Sequence, residues 1–160
     1  MLTYKNIAVG TDGSETSLRA VRAAASMARA YDAKLIIISA FYNHAGSMLG
    51  APRGDEAGLP VVSEDMAGTY LTNATRIAES EGAEHIEIVG KSGDPVKALL
   101  EVGQDYDVDL FVVGNRGVNS VRGRVFGSVP TELTHKSTVD VVVVNTCLLY
   151  TSDAADERSS

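Results

Sequence analysis

The most informative run of this chain is Leu35-Ile-Ile-Ile-Ser-Ala-Phe41, because almost every residue in it is apolar. A β-strand turns successive side chains to opposite faces, so a strand this apolar has to be covered on both faces. Strands of this kind are typical of parallel sheets with helices on each side. The run therefore predicts an inner strand of an α/β domain.

Working outward from this strand, short apolar runs alternate with amphipathic segments. Further strands are expected near residues 5–10, 84–89, 110–113 and 139–144. The segment after the first strand has helical spacing and a plausible N-cap at Ser14. In the helix after the second strand, the inward stripe is expected to be Met66, Tyr70, Ala74 and Ile77. Strands alternating with helices predict a doubly wound, five-stranded parallel sheet with right-handed crossovers.

Length and charge exclude several classes of protein. A chain of 160 residues is about one domain, and 14 Lys and Arg against 21 Asp and Glu leave a net charge of −7. Such an acidic protein is a poor candidate for binding nucleic acid or an anionic membrane. A single cysteine, Cys147, cannot form an intramolecular disulfide. With no secretory leader or membrane-spanning run visible, a cytoplasmic location is predicted.

Two segments fall outside the predicted strands and helices. Residues 43–60 are rich in glycine and proline and are interpreted as a mobile surface loop. Residues 147–160 follow the last strand and lack the periodicity of a helix or a strand. We expect the domain to span residues 1–146, with 147–160 as a disordered or vector-derived tail.

Two glycine-bearing turns follow strands, where open parallel sheets bind their ligands. Gly10-Thr-Asp-Gly-Ser14 follows the first strand, and Gly114-Asn-Arg-Gly117 follows the fourth. Gly127-Ser128 then opens the last helix, whose free N–H groups favour an anion. Positive charge nearby comes from Arg116, Arg122 and Arg124. Taken alone, these features fit a phosphate site and an ordinary structural turn about equally well.

The spacing Gly-x2-Gly-x9-Gly-Ser, here Gly114, Gly117, Gly127 and Ser128, resembles the ATP-binding motif of the universal stress protein family. The opening run Tyr4-Lys-Asn-Ile-Ala-Val-Gly-Thr-Asp-Gly-Ser-Glu-Thr16 and the closing run Ser137-Thr-Val-Asp-Val-Val-Val-Val144 are similar to the family's first and last strands. The resemblance covers residues 1–146. It implies an adenine-nucleotide α-hydrolase-like sheet in the order 3-2-1-4-5, and ATP as the ligand, either alone or with Mg²⁺.

The resemblance also implies roles for single residues. Gly127 and Ser128 would hold phosphates with Gly117 beside them, and Gly114 would pass close to the ribose and phosphates. Asp12 would lie near the ribose or a metal-bound water, and both roles stay open. Ala40 would meet the adenine through its backbone. The implied binding set is Gly10, Thr11, Asp12, Ala40, Gly114, Arg116, Gly117, Gly127, Ser128 and Val129.

The resemblance implies a cytoplasmic, ATP-binding sensor or regulator of the stress response. An enzyme is not expected, because no general base or water-positioning residue is evident beside the phosphate-binding residues. The alternatives are a slow ATPase or nucleotidyl-transferring enzyme, and a binder of another adenine nucleotide such as cyclic AMP. In the implied order the last strand, Val139-Asp-Val-Val-Val-Val144, lies at the sheet edge, which predicts a homodimer through this strand.

Overall fold

The computed structural model describes residues 1–42, 62–115 and 128–146, with Ser128 described by its backbone only. The described residues form five strands, β1 (Asn6–Gly10), β2 (Lys34–Phe41), β3 (His85–Ser92), β4 (Leu110–Gly114) and β5 (Asp140–Val144). Four helices alternate with them, α1 (Glu15–Tyr31), α2 (Glu64–Ser80), α3 (Pro95–Asp105) and α4 (Ser128–Lys136). The predicted alternation is confirmed, and the segments 43–60 and 147–160 lie outside the described residues. None of the helices in these ranges is both long and apolar enough to cross a membrane.

All five strands are parallel and lie in the order β3-β2-β1-β4-β5, which confirms the predicted sheet. β1 is central, with Ala8 level with Ile36 of β2 on one side and Phe111 of β4 on the other. The chain builds the sheet in one direction from β1 to β3 and in the other from β4 to β5. The switch point therefore lies between β1 and β4, the place where open sheets of this kind bind ligands.

Two helices cover each face of the sheet. α1 and α2 pack on the face that carries Ile7, Leu35 and Ile37. α3 and α4 pack on the opposite face, which carries Ala8 and Ile36. The side chains of β2 from residue 35 to residue 38 are at most 1% exposed. Burial on both faces is the physical reason that this strand is apolar throughout.

Side-chain caps hold the helix N-termini at the carboxyl-terminal edge of the sheet. Ser14 Oγ accepts a hydrogen bond from the Ser17 N–H, and the Asp94 carboxylate accepts one from the Lys97 N–H, both at 3.2 Å. These contacts satisfy amides that have no acceptor within the helix. Past the end of α2, Gly82 takes a φ of +98°, a conformation that glycine adopts without strain. The predicted cap at Ser14 is confirmed.

The stripe that α2 turns towards the sheet agrees in part with the predicted one, since Ala74 is buried and Ile77 packs against the core. Its buried residues are Ala67, Leu71, Ala74 and Ala78. Met66 is 40% exposed, so its predicted place in the core is wrong. Hydrophobicity alone ranks methionine above alanine, but small side chains let α2 approach the sheet closely, and that packing determines which stripe is buried.

Candidate functional site

Three strand ends meet at one edge of the sheet, and each carries a residue of the predicted site. Gly10 ends β1, Ala40 is the penultimate residue of β2, and Gly114 ends β4. Gly10 is level with Ile38 and one residue beyond the level of Val112 in the two neighbouring strands. Since the strands are parallel, Ala40 and Gly114 extend just beyond Gly10 on either side of it. The fold thus brings these three residues together at the switch point.

The main chain of Ala40 faces the space beyond the end of β1. The Thr11 N–H donates to the carbonyl of Ile38 at 2.9 Å, so the main-chain groups of Ile38 face β1. This direction alternates along a strand of a parallel ladder, so the groups of Ala40 face the same side. The last paired residue of β1 is Gly10, opposite Ile38. The N–H and the carbonyl of Ala40 are therefore directed where a ligand at the switch point can reach them.

The turn after β1 satisfies its own amides. Thr11 is 6% exposed and its hydroxyl lies 3.0 Å from Ser17 Oγ. The N–H of Asp12 donates to Ser17 Oγ, the N–H of Gly13 to Thr11 Oγ1, and the N–H of Ser14 to Asp12 Oδ1. With Thr11 N–H bonded to β2, all four amides of residues 11–14 donate within the chain. This turn therefore does not offer a nest of free amides to a phosphate.

Asp12 offers one carboxylate oxygen to a ligand. Its described side-chain hydrogen bonds both use Oδ1, which accepts from the N–H and the hydroxyl of Ser14 at 2.9 and 2.6 Å. The side chain is half-buried. Holding Oδ1 orients Oδ2, which can accept from a ribose hydroxyl or join a magnesium ion that also binds substrate phosphates. The residue therefore fits both of its expected roles.

Tyr70 of α2 packs against the turn at Gly13, a contact that the helical pattern of α2 does not reveal. Gly13 has a φ of +84°, and a Cβ at this position would lie 2.4 Å from Tyr70 Cε1. Both the backbone conformation and the ring therefore require glycine. Tyr70 thus braces the turn that carries Asp12.

The turn after β4 is joined to the end of β5. The Asn115 N–H donates to the carbonyl of Val144 at 2.8 Å. Asn115 Oδ1 accepts from both the N–H and the hydroxyl of Thr146, each at 3.1 Å. A Cβ at Gly114 would lie 3.0 Å from Thr146 Cγ2. Thr146 is not among the predicted site residues, although the alternation of Val142, Val144 and Thr146 could have identified it as an inward-facing residue.

The N-terminus of α4 completes the candidate site. α4 begins at Ser128, and because it connects two parallel strands its N-terminus lies at the same edge as Gly114. The first amides of a helix lack intrahelical acceptors and favour an anion. Val129, the second residue of α4, is half-buried and packs against the core between this helix and the sheet. Three predicted residues lie outside the described ranges, and their roles stay predictions, namely Arg116, Gly117 and Gly127.

A separate group of side chains that could hold a metal ion lies at the opposite edge of the sheet. Asp32, Glu84 and His85 are exposed, and their ligand atoms lie within 4.8 Å of one another. Asp32 follows α1 and His85 begins β3, so the group is at the amino-terminal ends of the strands. It is therefore not part of the candidate site.

Comparisons with known proteins identify relatives across the whole domain. The model of the universal stress protein family matches residues 3–145. The universal stress protein Rv1636 of Mycobacterium tuberculosis is 38% identical over 146 residues, which are 91% of this chain and 99% of that protein. A crystal structure of a universal stress protein in complex with cAMP is 36% identical, with a TM-score of 0.68, and the match covers 91% of this chain and 99% of that one.

A more distant relative has the same fold. The universal stress protein UspA from Lactobacillus plantarum is 20% identical and superimposes with a TM-score of 0.69, covering 91% of this chain and 100% of that one. This similarity shows the same fold. The match to the family model over nearly the whole domain, together with 38% identity to a curated member, shows that this chain belongs to the universal stress protein family.

Proposed function

We propose that this universal stress protein binds an adenine nucleotide at the carboxyl-terminal edge of its sheet and acts as a nucleotide-dependent regulator in the stress response. The observation that carries the proposal is the convergence of Gly10, Ala40 and Gly114 at the switch point, beside the N-terminus of α4. Backbone groups, a carboxylate and a helix N-terminus are the three kinds of group that a base, a ribose and a phosphate need.

The arrangement of these groups predicts how a bound nucleotide would be oriented along the sheet edge. Phosphates are expected at α4, because the amides of residues 11–14 already donate within the chain and the Asp12 carboxylate would repel an anion. The ribose is expected beside Asp12, whose Oδ2 can accept from a hydroxyl. The adenine is expected against the main chain of Ala40, where a donor and an acceptor lie side by side. This order, from β2 across β1 to α4, fits an extended nucleotide.

ATP, alone or with Mg²⁺, is the ligand that the glycine motif implies. Cyclic AMP is a second candidate, favoured by one observation, since the 36% identical relative was crystallised in complex with cAMP. Cyclic AMP carries much less negative charge than ATP. Binding of ATP should therefore depend more strongly on Mg²⁺ and on salt than binding of cyclic AMP.

We propose binding rather than turnover. Asp12 is the carboxylate among the described site residues, and Ser14 already engages one of its oxygens. The two described histidines, His85 and His135, lie at the opposite edge of the domain, at the start of β3 and the end of α4. Among the site residues within 1–42, 62–115 and 128–146, Asp12 is therefore the one candidate base for water, and its expected partner is the ribose or a metal. Hydrolysis of ATP is expected to be slow or absent.

Calorimetry with the purified chain tests the proposal. ATP, ATP with Mg²⁺ and cyclic AMP are titrated, with GTP as the control for the base. Asp12→Asn keeps the oxygen that Ser14 needs and removes the charge, so it should weaken binding of Mg²⁺-ATP if the carboxylate binds the metal. Asp32→Asn, the same change at the opposite edge, should bind like the unaltered chain. Absence of binding, or equal affinity for GTP, contradicts the proposed function.

We further propose a homodimer through β5. The carbonyl of Val144 faces β4, where it accepts from the Asn115 N–H. Main-chain direction alternates along the strand, so the N–H and carbonyl groups of Val141 and Val143 face away from β4. Val143 is also 40% exposed, and Asp140 is the one charged residue of the strand. A second copy of β5 would satisfy these groups in a closed two-fold contact.

The domain boundary is proposed at Thr146. Thr146 is fully buried and bonded to Asn115, which makes it part of the packed domain. Residues 147–160 are proposed as a tail that neither the nucleotide site nor the dimer requires. The cytoplasmic location remains a prediction.

A further inference from the structure

Thr146 is fully buried although it lies two residues beyond the end of β5. Residues that follow the last strand of a domain are commonly exposed unless a contact holds them. Val142 and Val144 pack on the face covered by α1, and the two-residue period of an extended chain puts Thr146 on that face too. A buried hydroxyl in this position needs a hydrogen-bond partner.

Asn115 supplies that partner through one side-chain oxygen. Its Oδ1 accepts from the N–H and the hydroxyl of Thr146, both at 3.1 Å. Its Nδ2 donates to Asn145 Oδ1 at 3.3 Å, and its own N–H donates to the carbonyl of Val144 at 2.8 Å. Residues 144, 145 and 146 are therefore all bonded to the single residue that follows Gly114.

Thr146 also explains the glycine at position 114. A Cβ on Gly114 would lie 3.0 Å from Thr146 Cγ2 and 3.3 Å from Thr146 Oγ1, so the neighbour would have to move by a few tenths of an ångström. Thr146 cannot yield easily, because it is buried and hydrogen-bonded through two of its groups. The glycine thus has a reason inside the protein that does not involve a ligand.

We infer that Asn115 and Thr146 are positioning residues of the nucleotide site, which hold the main chain of Gly114 in place for the ligand. The inference rests on the proposed function, in which Gly114 passes beside the ribose and phosphates. Gly114 ends β4 at the switch point, and its position is set by the contact with Thr146 on one side and the turn at Asn115 on the other. Neither positioning residue needs to touch the nucleotide.

Substitutions at Gly114 and at Thr146 distinguish the positioning role of Thr146 from a direct contact between the ligand and Gly114. Gly114→Ala should weaken binding of the adenine nucleotide at least about threefold, because the added methyl displaces the end of β4. Thr146→Ser keeps the hydroxyl and removes the nearest methyl, so its affinity should stay within about twofold. The double variant should recover part of the lost affinity. A double variant that binds as poorly as Gly114→Ala would overturn the inference, since the ligand itself would then require the glycine.

A second pair of variants tests the hydrogen bond. Thr146→Val keeps the shape but removes the hydroxyl donor, so affinity should fall about three- to tenfold while Thr146→Ser retains it. Thr75→Val is the matched control, because the Thr75 hydroxyl donates to a backbone carbonyl within α2, at 2.8 Å. Affinity is measured at a temperature where circular dichroism finds every variant folded. A purely structural role of Thr146 would lower the melting temperature and leave the affinity unchanged, which would overturn the inference.

Hydrogen exchange on the unaltered chain covers the case in which a variant does not fold. Nucleotide should slow exchange at the amides of Asn115 and Thr146, and leave unchanged the amide of Asp109, which donates to the Asn6 carbonyl at the opposite edge. Unchanged exchange at all three amides would count against the inference. If the unaltered chain binds no adenine nucleotide, the proposed function fails and the inference with it. If it binds while Thr146→Val and the double variant show none of the expected changes, the inference alone fails.

Discussion

Replacing Gly103 with alanine is expected to destabilise the domain, although alanine is the better helix former. Gly103 lies in α3 and is buried against Phe111 of β4. A Cβ on Gly103 would lie 2.6 Å from Phe111 Cζ, and two further ring carbons would be within 3.5 Å. The Phe111 side chain is 3% exposed and cannot swing into solvent. The new methyl must therefore push α3 away from the sheet or force the ring into its neighbours.

Two opposing terms set the size of the effect. Alanine is better than glycine in a helix interior by about 0.5–1 kcal/mol. Extra carbon in a packed core costs about 1–3 kcal/mol. The difference between the two ranges is a net loss of about 0–2.5 kcal/mol in the free energy of unfolding. Because the added Cβ would lie 2.6 Å from Phe111 Cζ, we expect a loss of about 1–2 kcal/mol within that range. In a domain of this length each kcal/mol shifts the melting temperature by about 2–4 °C, so Tm should fall by about 2–8 °C.

Thermal and urea unfolding followed by circular dichroism measures this change. Gly68→Ala is the matched control, since Gly68 is an exposed residue of α2 with no atom within 4 Å of its added Cβ. This variant should gain about 0.5–1 kcal/mol, so the two glycine-to-alanine changes should have opposite signs. A Gly103→Ala protein as stable as the unaltered chain would refute the close packing of α3 on β4.

Three further predictions concern the N-terminus, the sheet edge and the tail. A hydrogen bond from the Tyr4 hydroxyl to Asp140 at 2.7 Å, with burial and the aspartate charge, raises the pKa of Tyr4 from 10.0 to about 12. The folded protein therefore holds this proton more tightly than the unfolded chain, so the free energy of unfolding should be unaffected below pH 10 and decline towards pH 12. Tyr4→Phe should reduce this decline in urea titrations, and equal pH profiles of the two proteins would contradict the contact. Val143→Lys on β5 should give a monomer in sedimentation, whereas Ile88→Lys on the exposed side of β3 should leave the dimer; a dimeric Val143→Lys protein would exclude this edge. Removal of residues 147–160 should change neither nucleotide affinity nor sedimentation, and a loss of either would assign the tail to the domain.

Local patterns were sufficient for most of the fold. The apolar run of β2 was recognised because burial on both faces demands it, and Ser14 was recognised as a cap because a serine before a helical stripe accepts from the first amides. The predicted place of Met66 in the buried stripe of α2 is wrong, although Ala74 of the same stripe is buried. Residues at neighbouring helical angles compete for the buried face, and only contact with the sheet determines which of them is covered.

Part of the candidate site could likewise be predicted from local patterns, and part could not. Gly10 and Gly114 could be predicted as strand ends, since each glycine closes an apolar run, and the family resemblance put both at one ligand site. The contact of Thr146 with Gly114 could not be predicted, because it depends on how the end of β5 settles beside β4. The contact of Tyr70 with Gly13 joins α2 to the turn after β1 and was missed for the same reason.

The sequence alone predicted the strands, the helices that alternate with them, the parallel sheet and the strand ends that carry the candidate ligand groups. These features depend on short-range periodicity, turn residues and recognisable spacing. Only the folded chain showed why two positions in the turns of the candidate site require glycine. Gly13 meets the Tyr70 ring and Gly114 meets Thr146, contacts between residues far apart in sequence. Their distances are set by side-chain packing in three dimensions, to which no local pattern in the chain corresponds.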